Sequence, residues 1–282
     1  MYLFGLLIGL IAFLCGHFKI GMKRIIHPVG YWRYPVFNVI IETLKKTDNL
    51  RVLDIGSPKL LALFLALRKG FEVYATDLQD HELFSVWQTY YLSCKKLKLF
   101  KKDKYENKQL YNPQIQDGRE LDFPNNYFEL VYSISVLEHI PENGDSVTMK
   151  EIQRVLKPQG MAIIEVPFSE KEYNSYVKND VYERKYIDSP VFYQRHYDNN
   201  TIHSRIIIPS GLSLESCIII KEKIPYEFAV NKLPPYLQIP FLLLTPIISI
   251  LNHKKYNIIM NNDKIKRKSH GASDVILILK KK

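Results

Sequence analysis

The residues best suited to chemistry stand at the ends of short apolar runs. Asp54-Ile55-Gly56 closes the run that begins at Arg51-Val52-Leu53, and a stretch rich in helix formers follows, Leu60 to Leu67. Asp77 closes the next run, Glu72-Val73-Tyr74-Ala75-Thr76, and lies 21 positions after Gly56. That is the logic of a nucleotide site in an open α/β sheet. A glycine lets the backbone approach a ligand closely, and a carboxylate at the second strand tip accepts hydrogen bonds from ribose hydroxyls. Many nucleotide folds share the pattern, so Asp54 equally suits a turn cap and Asp77 an ordinary exposed carboxylate. Further along stand His139 and the cluster Tyr193-Gln194-Arg195-His196-Tyr197. Histidine titrates near neutrality and suits proton transfer; arginine pairs with anionic groups. A structural His139 and a polar anchoring loop at 193–197 are the alternatives.

These residues need elements to hold them. Gly70 stands where a helix C-cap belongs, after Leu60–Leu67. Residues 82–99 read as a helix, Phe128 to Ser133 as a strand, Gly144 to Leu156 as a helix, and Met161 to Val166 as a strand after the turn Pro158-Gln159-Gly160. Leu214 to Lys221 and Asp274 to Leu279 are two more strands. Strands alternating with helices predict a parallel sheet covered on both faces.

The segment VLDIGSPKLLALFLALRKGFEVYATDLQD resembles the first two βα units of a class I S-adenosylmethionine-dependent methyltransferase of the type-11-like kind. Asp117-Gly118-Arg119-Glu120-Leu121-Asp122-Phe123-Pro124 resembles the stretch whose acidic residue meets the adenine. Phe128 to Ile140 resembles the fourth strand with its Leu-Glu-His ending, and Glu151 to Gly160 the helix and turn before strand five. The resemblance spans residues 50–170 and extends more loosely to 282. It implies a Rossmann-like α/β fold: a seven-stranded, mostly parallel sheet with an antiparallel final strand and helices on both faces. The implied cofactor is S-adenosylmethionine, bound through Asp54, Gly56, Ser57, Asp77, Leu78, Asp117, Gly118 and Ser133. A hydroxyl nucleophile needs alignment and a base; His139 and His196 are the candidates, with Arg195 and Tyr197 on the acceptor. The family's first loop usually reads Asp-x-Gly-x-Gly-x-Gly, and only its first glycine is kept in Asp54-Ile55-Gly56-Ser57-Pro58-Lys59. Pro58 still suits a first helical turn. Lys59 is expected to point to solvent, as most lysines do, the alternative being a contact with the cofactor carboxylate. A methyltransferase-like module without catalysis is the competing reading of this altered loop.

The chain has 282 residues, of which 46% are hydrophobic and 24% charged, with a net charge of +10. That excludes a disordered chain, a collagen-like fibre and a disulfide scaffold. Cys15, Cys94 and Cys217 are too far apart for zinc spacing, so no metal site is expected. Residues 94–108 and 252–282 carry +5 and +7, which suits an anionic surface. Residues 1–16 contain no charge and make a marginal span at ~24 Å of helix. Residues 236–251 are also apolar, but Pro240 and Pro246 predict a broken, surface-lying element. Both stretches are followed by basic residues, the composition of an interfacial anchor; packing into the core is the alternative. The organisation expected is an apolar segment and helical lead-in at 1–49, then a methyltransferase domain at 50–282 with an apolar and basic insertion at 225–270. Together these readings point to a cytoplasmic, membrane-associated methyltransferase whose acceptor is a small or lipid-linked molecule of glycan, isoprenoid or quinone type. A nicotinamide enzyme would want Gly-x-Gly-x-x-Gly after strand one. A methyltransferase of nucleic-acid bases would want an Asn-Pro-Pro-Tyr-type segment after strand four. Neither segment is present, and no nucleic-acid partner is expected.

Overall fold

A computed structural model describes residues 1–45, 47–78, 81–98, 108–179, 186–258 and 273–282. The elements in chain order begin with three helices, α1 (Tyr2–Leu14), α2 (Phe18–Ile26) and α3 (Arg33–Thr43). Then come β1 (Arg51–Ile55), α4 (Lys59–Phe64) with a π-helical extension to Lys69, β2 (Glu72–Asp77), α5 (His81–Lys96) and β3 (Tyr111–Ile115). The second half of the core follows as β4 (Phe128–Ile134), a 3-10 turn at Leu137–His139, α6 (Gly144–Val155) and β5 (Leu156–Phe168). Next are β6 (Tyr173–Asn179), β7 (Tyr186–His196), and α7 (Asn199–Thr201) and α8 (Ile208–Ser210) joined by a π-helical segment, Ile202–Ile207. The chain ends with β8 (Ser213–Glu222), α9 (Tyr226–Asn231), α10 (Pro235–Asn252), β9 (His253–Ile258) and β10 (Ser273–Lys280).

The sheet runs β3-β2-β1-β4-β5-β10-β8-β9. The first five strands are parallel, and β10 lies antiparallel between β5 and β8. This is the expected sheet with one strand more. The eighth, β9, lies inside the 225–270 stretch and pairs antiparallel with β8. It covers an edge that would otherwise expose the unpaired backbone of an isoleucine-rich strand. Strand order reverses between β1 and β4, so the crevice beyond their carboxyl ends is where such sheets bind ligands. The β6–β7 pair forms a separate two-stranded ribbon.

One apolar core, containing Phe4, Ile8, Val36, Phe37, Leu61 and Val73, joins α1 and α3 to α4 and one face of the sheet. A second, with Leu53, Val131, Met149, Ile164 and Leu277, packs α6 against the other face. The apolar N-terminal stretch therefore buries Phe4, Ile8, Ile11 and Ala12 against the domain and leaves Leu3, Leu10 and Leu14 outside. Close packing is permitted by Gly5 and Gly9, where a Cβ would sit 2.5 Å from Pro28 O and 3.0 Å from Arg24.

The expected break at 236–251 does not occur. α10 continues through both Pro240 and Pro246. Each proline removes one intrahelical donor, but tertiary bonds hold the helix: Ser249 Oγ donates to Tyr31 O (3.0 Å) and Asn252 Nδ2 to Tyr31 Oη (2.6 Å). Its outward face remains apolar and exposed, including Tyr236, Leu243, Leu244, Ile247, Ile250 and Leu251. Among the described residues, no helix is long and apolar enough to cross a membrane.

Candidate functional site

The loop after β1 is built around a buried carboxylate. Asp54 is wholly buried, and its Oδ1 accepts from Ser57 N at 3.1 Å. Gly56 adopts φ +63°, and a Cβ there would lie 2.8 Å from Val136 Cγ1, so this position needs glycine on both counts. Gly56 N donates to Thr76 O (2.8 Å), and Ser57 Oγ accepts from Ile134 N (2.8 Å). Three strand ends are thereby fastened to one turn.

Lys59 does not point to solvent. Its ammonium is buried, donates to Thr76 O at 3.0 Å, and lies 3.5 Å from Asp54 Oδ2 and 3.6 Å from Asp77 Oδ2. The reason is local: two carboxylates at adjacent strand tips need a cation, and the first turn of α4 brings Lys59 between them. Burial still dominates at Asp54 and pushes its carboxyl up to about 6, despite Lys59 pulling it down.

The remaining residues expected around the cofactor gather on the same rim. Asp77 O accepts from Gln116 N (3.0 Å), which sets the β2 tip beside the Asp117 turn. Asp117 is held by Arg119 through Nε and Nη2, and that bonding keeps its carboxyl below its ordinary value. Gly118 packs closely: a Cβ would approach Ile55 Cγ2 to 3.1 Å. Leu78 is exposed beside Asp77, and Ser133 Oγ is buried with no hydrogen-bond partner among the described residues. A half-buried carboxylate next to an exposed leucine, a tight glycine turn and a buried hydroxyl without a partner are a fit for a nucleoside carrying an amino-acid tail.

Beyond β4 and β5 opens a cavity of about 930 Å³. His139 and His196 both line it. His139 Nδ1 donates to Tyr193 O at 2.8 Å, which leaves the lone pair of the neutral ring on Nε2. Burial lowers the pKa of His139, and burial, then the neighbouring His139, lowers that of His196. His196 stacks on Tyr173 at 4.1 Å and accepts from the Gln194 amide at 2.8 Å.

Arg195 and Tyr197 are not among the residues lining this cavity. Alternation along β7 turns Gln194 and His196 toward it and Arg195 away. Arg195 Nη1 and Tyr197 Oη both donate to Asp145 Oδ2 at 2.8 Å. The acceptor contacts expected of Arg195 and Tyr197 are thus replaced by a buried clamp on α6.

Sequence reading missed the polar floor of the cavity. Ser135 has φ +51°, a strained conformation for a side chain of this type that costs on the order of 1–3 kcal/mol. Its hydroxyl accepts from Arg33 Nη1 (2.8 Å) and donates to Glu165 Oε2 (2.9 Å). Glu138 and Asp274 also line the cavity. Burial first, then the charge of Glu165, pushes the carboxyls of both well above their ordinary value. Glu138 was visible within Leu-Glu-His, but nothing in the sequence pattern joins it to Glu165 and Asp274.

The reversal of strand order and the run of five parallel strands closed by an antiparallel one are those of the Rossmann-like methyltransferase fold. Residues 53–164 match the family described as "Methyltransferase domain", and this match supports an S-adenosylmethionine-dependent methyltransferase. A search of curated proteins gives no match. Similar solved structures include a SAM-dependent methyltransferase from Methanosarcina mazei, 15% identical, with a TM-score of 0.54 over 86% of this chain and 96% of that one. Another is the YcgJ protein from Bacillus subtilis, 12% identical, with a TM-score of 0.53 over 87% and 97%. The [4+2]-cyclase SpnF is 14% identical, with a TM-score of 0.51 over 88% and 80%. At these identities the likeness speaks for the fold.

Proposed function

We propose that the protein methylates a small or lipid-linked acceptor, of glycan, isoprenoid or quinone type, presented at a membrane surface. The observation that carries this reading is the continuity between the apolar face and the cavity. α10, apolar and exposed along its outer side, is hydrogen-bonded through Ser249 and Asn252 to Tyr31. Tyr31 and Trp32 line the cavity, and His253, just after α10, packs on both rings at 4.4 and 4.7 Å. The helix with the exposed apolar face thus lies one layer of buried side chains from the cavity.

In this reading Asp77 accepts the ribose hydroxyls, Leu78, Asp117 and Gly118 border the adenine, and Asp54, Gly56, Ser57 and Ser133 frame the amino-acid half. S-adenosylmethionine, when bound, supplies an electrophilic methyl group. The chain orients the acceptor in the cavity and excludes water. His139 takes a proton at Nε2, with its Nδ1–H fixed on Tyr193 O; His196 is the second candidate.

Calorimetric titration with S-adenosylmethionine tests the cofactor half. Micromolar binding is expected, weakened at least tenfold in Asp77→Ala, because a ribose loses its charged acceptor. Transfer of a labelled methyl group is then followed into total membrane lipid and, separately, into water-soluble extract. Label in the soluble fraction alone would overturn the membrane-surface part of the reading.

A further inference from the structure

The cavity runs against the charge of the molecule around it. The chain carries +10 overall. Yet among the described residues the charged ones lining the cavity are Glu138, Glu170 and Asp274 against a single cation, Arg33. Among the described residues no lysine lines it. Glu165 stands directly behind, and Arg33 is already engaged there, at 3.6 Å from Glu165 Oε2 and 2.8 Å from Ser135 Oγ. Arg33 is held on Glu165, and although its charge also favours ionised Glu138 and Asp274, it does not outweigh their burial.

Two carboxylate oxygens lack hydrogen-bond partners among the described residues: Glu138 Oε2 and Glu165 Oε1. Glu138 is 1% exposed and Glu165 wholly buried. Leaving carboxyl oxygens buried and unbonded is costly unless something fills the site. The topology shows how they meet. In the β5–β10 register Asp274 faces Pro167 and Ile276 faces Glu165, so Asp274 and Glu165 are diagonal neighbours on adjacent strands. Glu138 reaches the same place from the turn after β4.

Aromatic rings also line the cavity. Tyr31 and Trp32 come from the approach to α3, and Tyr173, stacked with His196, comes from the β6–β7 ribbon. Aromatic faces beside carboxylates attract cations, by ring quadrupole and by charge.

We infer that the acceptor cavity selects a molecule bearing an ammonium group, which pairs with Glu138 and Asp274 while the aromatic walls cover its apolar or sugar-like body. This rests on the methyltransferase reading and narrows its acceptor class. A cation there gives the buried carboxyls a reason to ionise, which their neighbours alone do not.

Three probes of one size and shape separate charge from fit: benzylamine, protonated at neutral pH, benzyl alcohol and benzoate. Binding of each to the full chain is followed by saturation-transfer NMR, with S-adenosylmethionine affinity measured on the same preparation. Benzylamine is expected to bind at least tenfold more tightly than benzyl alcohol, and benzoate not measurably. Glu138→Gln is expected to bring benzylamine down to the level of the alcohol with cofactor affinity unchanged. Asp274→Asn serves as the second variant should Glu138→Gln fail to fold. Equal binding of the three, preference for benzoate, no binding of benzylamine, or a preference that survives both substitutions would overturn the inference. Because cofactor affinity is read separately, a cavity that ignores benzylamine in a protein that binds S-adenosylmethionine refutes the acceptor class and leaves the methyltransferase reading standing.

Discussion

Lys59 shows what a single residue does to this loop. Where the family's loop keeps further glycines, this chain has a proline and then a lysine folded back between Asp54 and Asp77. Its removal leaves Asp54 buried beside a second carboxylate with no cation between them. Breaking a buried pair from one side typically costs about 3–5 kcal/mol. Lys59→Met should therefore lower stability by about 3 kcal/mol at pH 7 in urea unfolding, and by much less at acid pH, where Asp54 takes a proton. An unchanged midpoint at pH 7 would show the ion pair to be irrelevant. Asp54 itself carries a pH signature. Its folded carboxyl sits at about 6 against an ordinary 3.8. A raised acid means that the folded state holds the proton more tightly, so this contribution is full below the ordinary value and lost as pH rises through about 6. At 1.36 kcal/mol per unit, the loss is on the order of 3 kcal/mol. Asp54→Asn removes that dependence, so the stability difference between wild type and variant should change between pH 4 and pH 7. A difference that stays constant across that range counts against the burial argument.

Among the elements, α6, β7 and the π-helical segment after α7 are joined through one carboxylate. Asp145, wholly buried, receives Arg195 and Tyr197 on Oδ2 and Arg205 on both oxygens. Asp145→Ala strands two arginines and a buried tyrosine, and about 3–5 kcal/mol should be lost in urea unfolding. The β6–β7 ribbon should also become more sensitive to limited proteolysis; equal cleavage rates would remove the clamp from the account. Asp145 also marks where reading the sequence stops. The strands β1, β2, β4 and β5 and the helix α6 were legible because each carries a local pattern: an apolar run, a helix former stretch, a glycine or proline at its border. So was the β1 loop, whose Asp54, Gly56 and Ser57 are neighbours in the chain. Which face of β7 meets the cavity was not legible, since a shift of one residue exchanges the two faces. Arg195 and Tyr197 are placed on the acceptor by residue type and the resemblance alone, which do not say which way a side chain faces. Glu165 and Asp274 escaped notice for another reason: they come together only through the β5–β10 pairing, which no local pattern specifies. β9 was hidden as well, because His253-Lys254-Lys255 reads as a basic flank and becomes a strand only against the exposed edge of β8.

At the scale of the whole molecule, charge and hydrophobicity are divided by place. The cavity is acidic, while the face bearing α10 is apolar with a basic border. α10 packs against α2 and α3. On α2, Phe18, Ile20 and Met22 are exposed beside exposed Lys19 and Lys23, and Lys254 and Lys255 are exposed just beyond α10. Monomeric proteins seldom expose so continuous an apolar patch without a use for it. An apolar helix face next to lysines matches an interfacial anchor, in which buried area supplies the affinity and anionic headgroups add to it. Full burial of a leucine or isoleucine contributes ~1.5–3 kcal/mol, and these side chains are already partly covered, so several must act together. The test is co-sedimentation with vesicles of neutral phospholipid, with and without an anionic phospholipid. Wild type should pellet with both and more completely with the anionic ones. In 1 M salt, where the Debye length is ~3 Å, the anionic preference should vanish while the residual binding stays. Leu244→Glu, Ile247→Glu and Leu251→Glu, made together on the exposed side of α10, should abolish the residual binding without altering cofactor affinity. Lys19→Glu with Lys23→Glu should remove only the anionic preference. If wild type stays in the supernatant with every vesicle, or the triple variant pellets like wild type, α10 is not a lipid anchor and its face must be covered by something else.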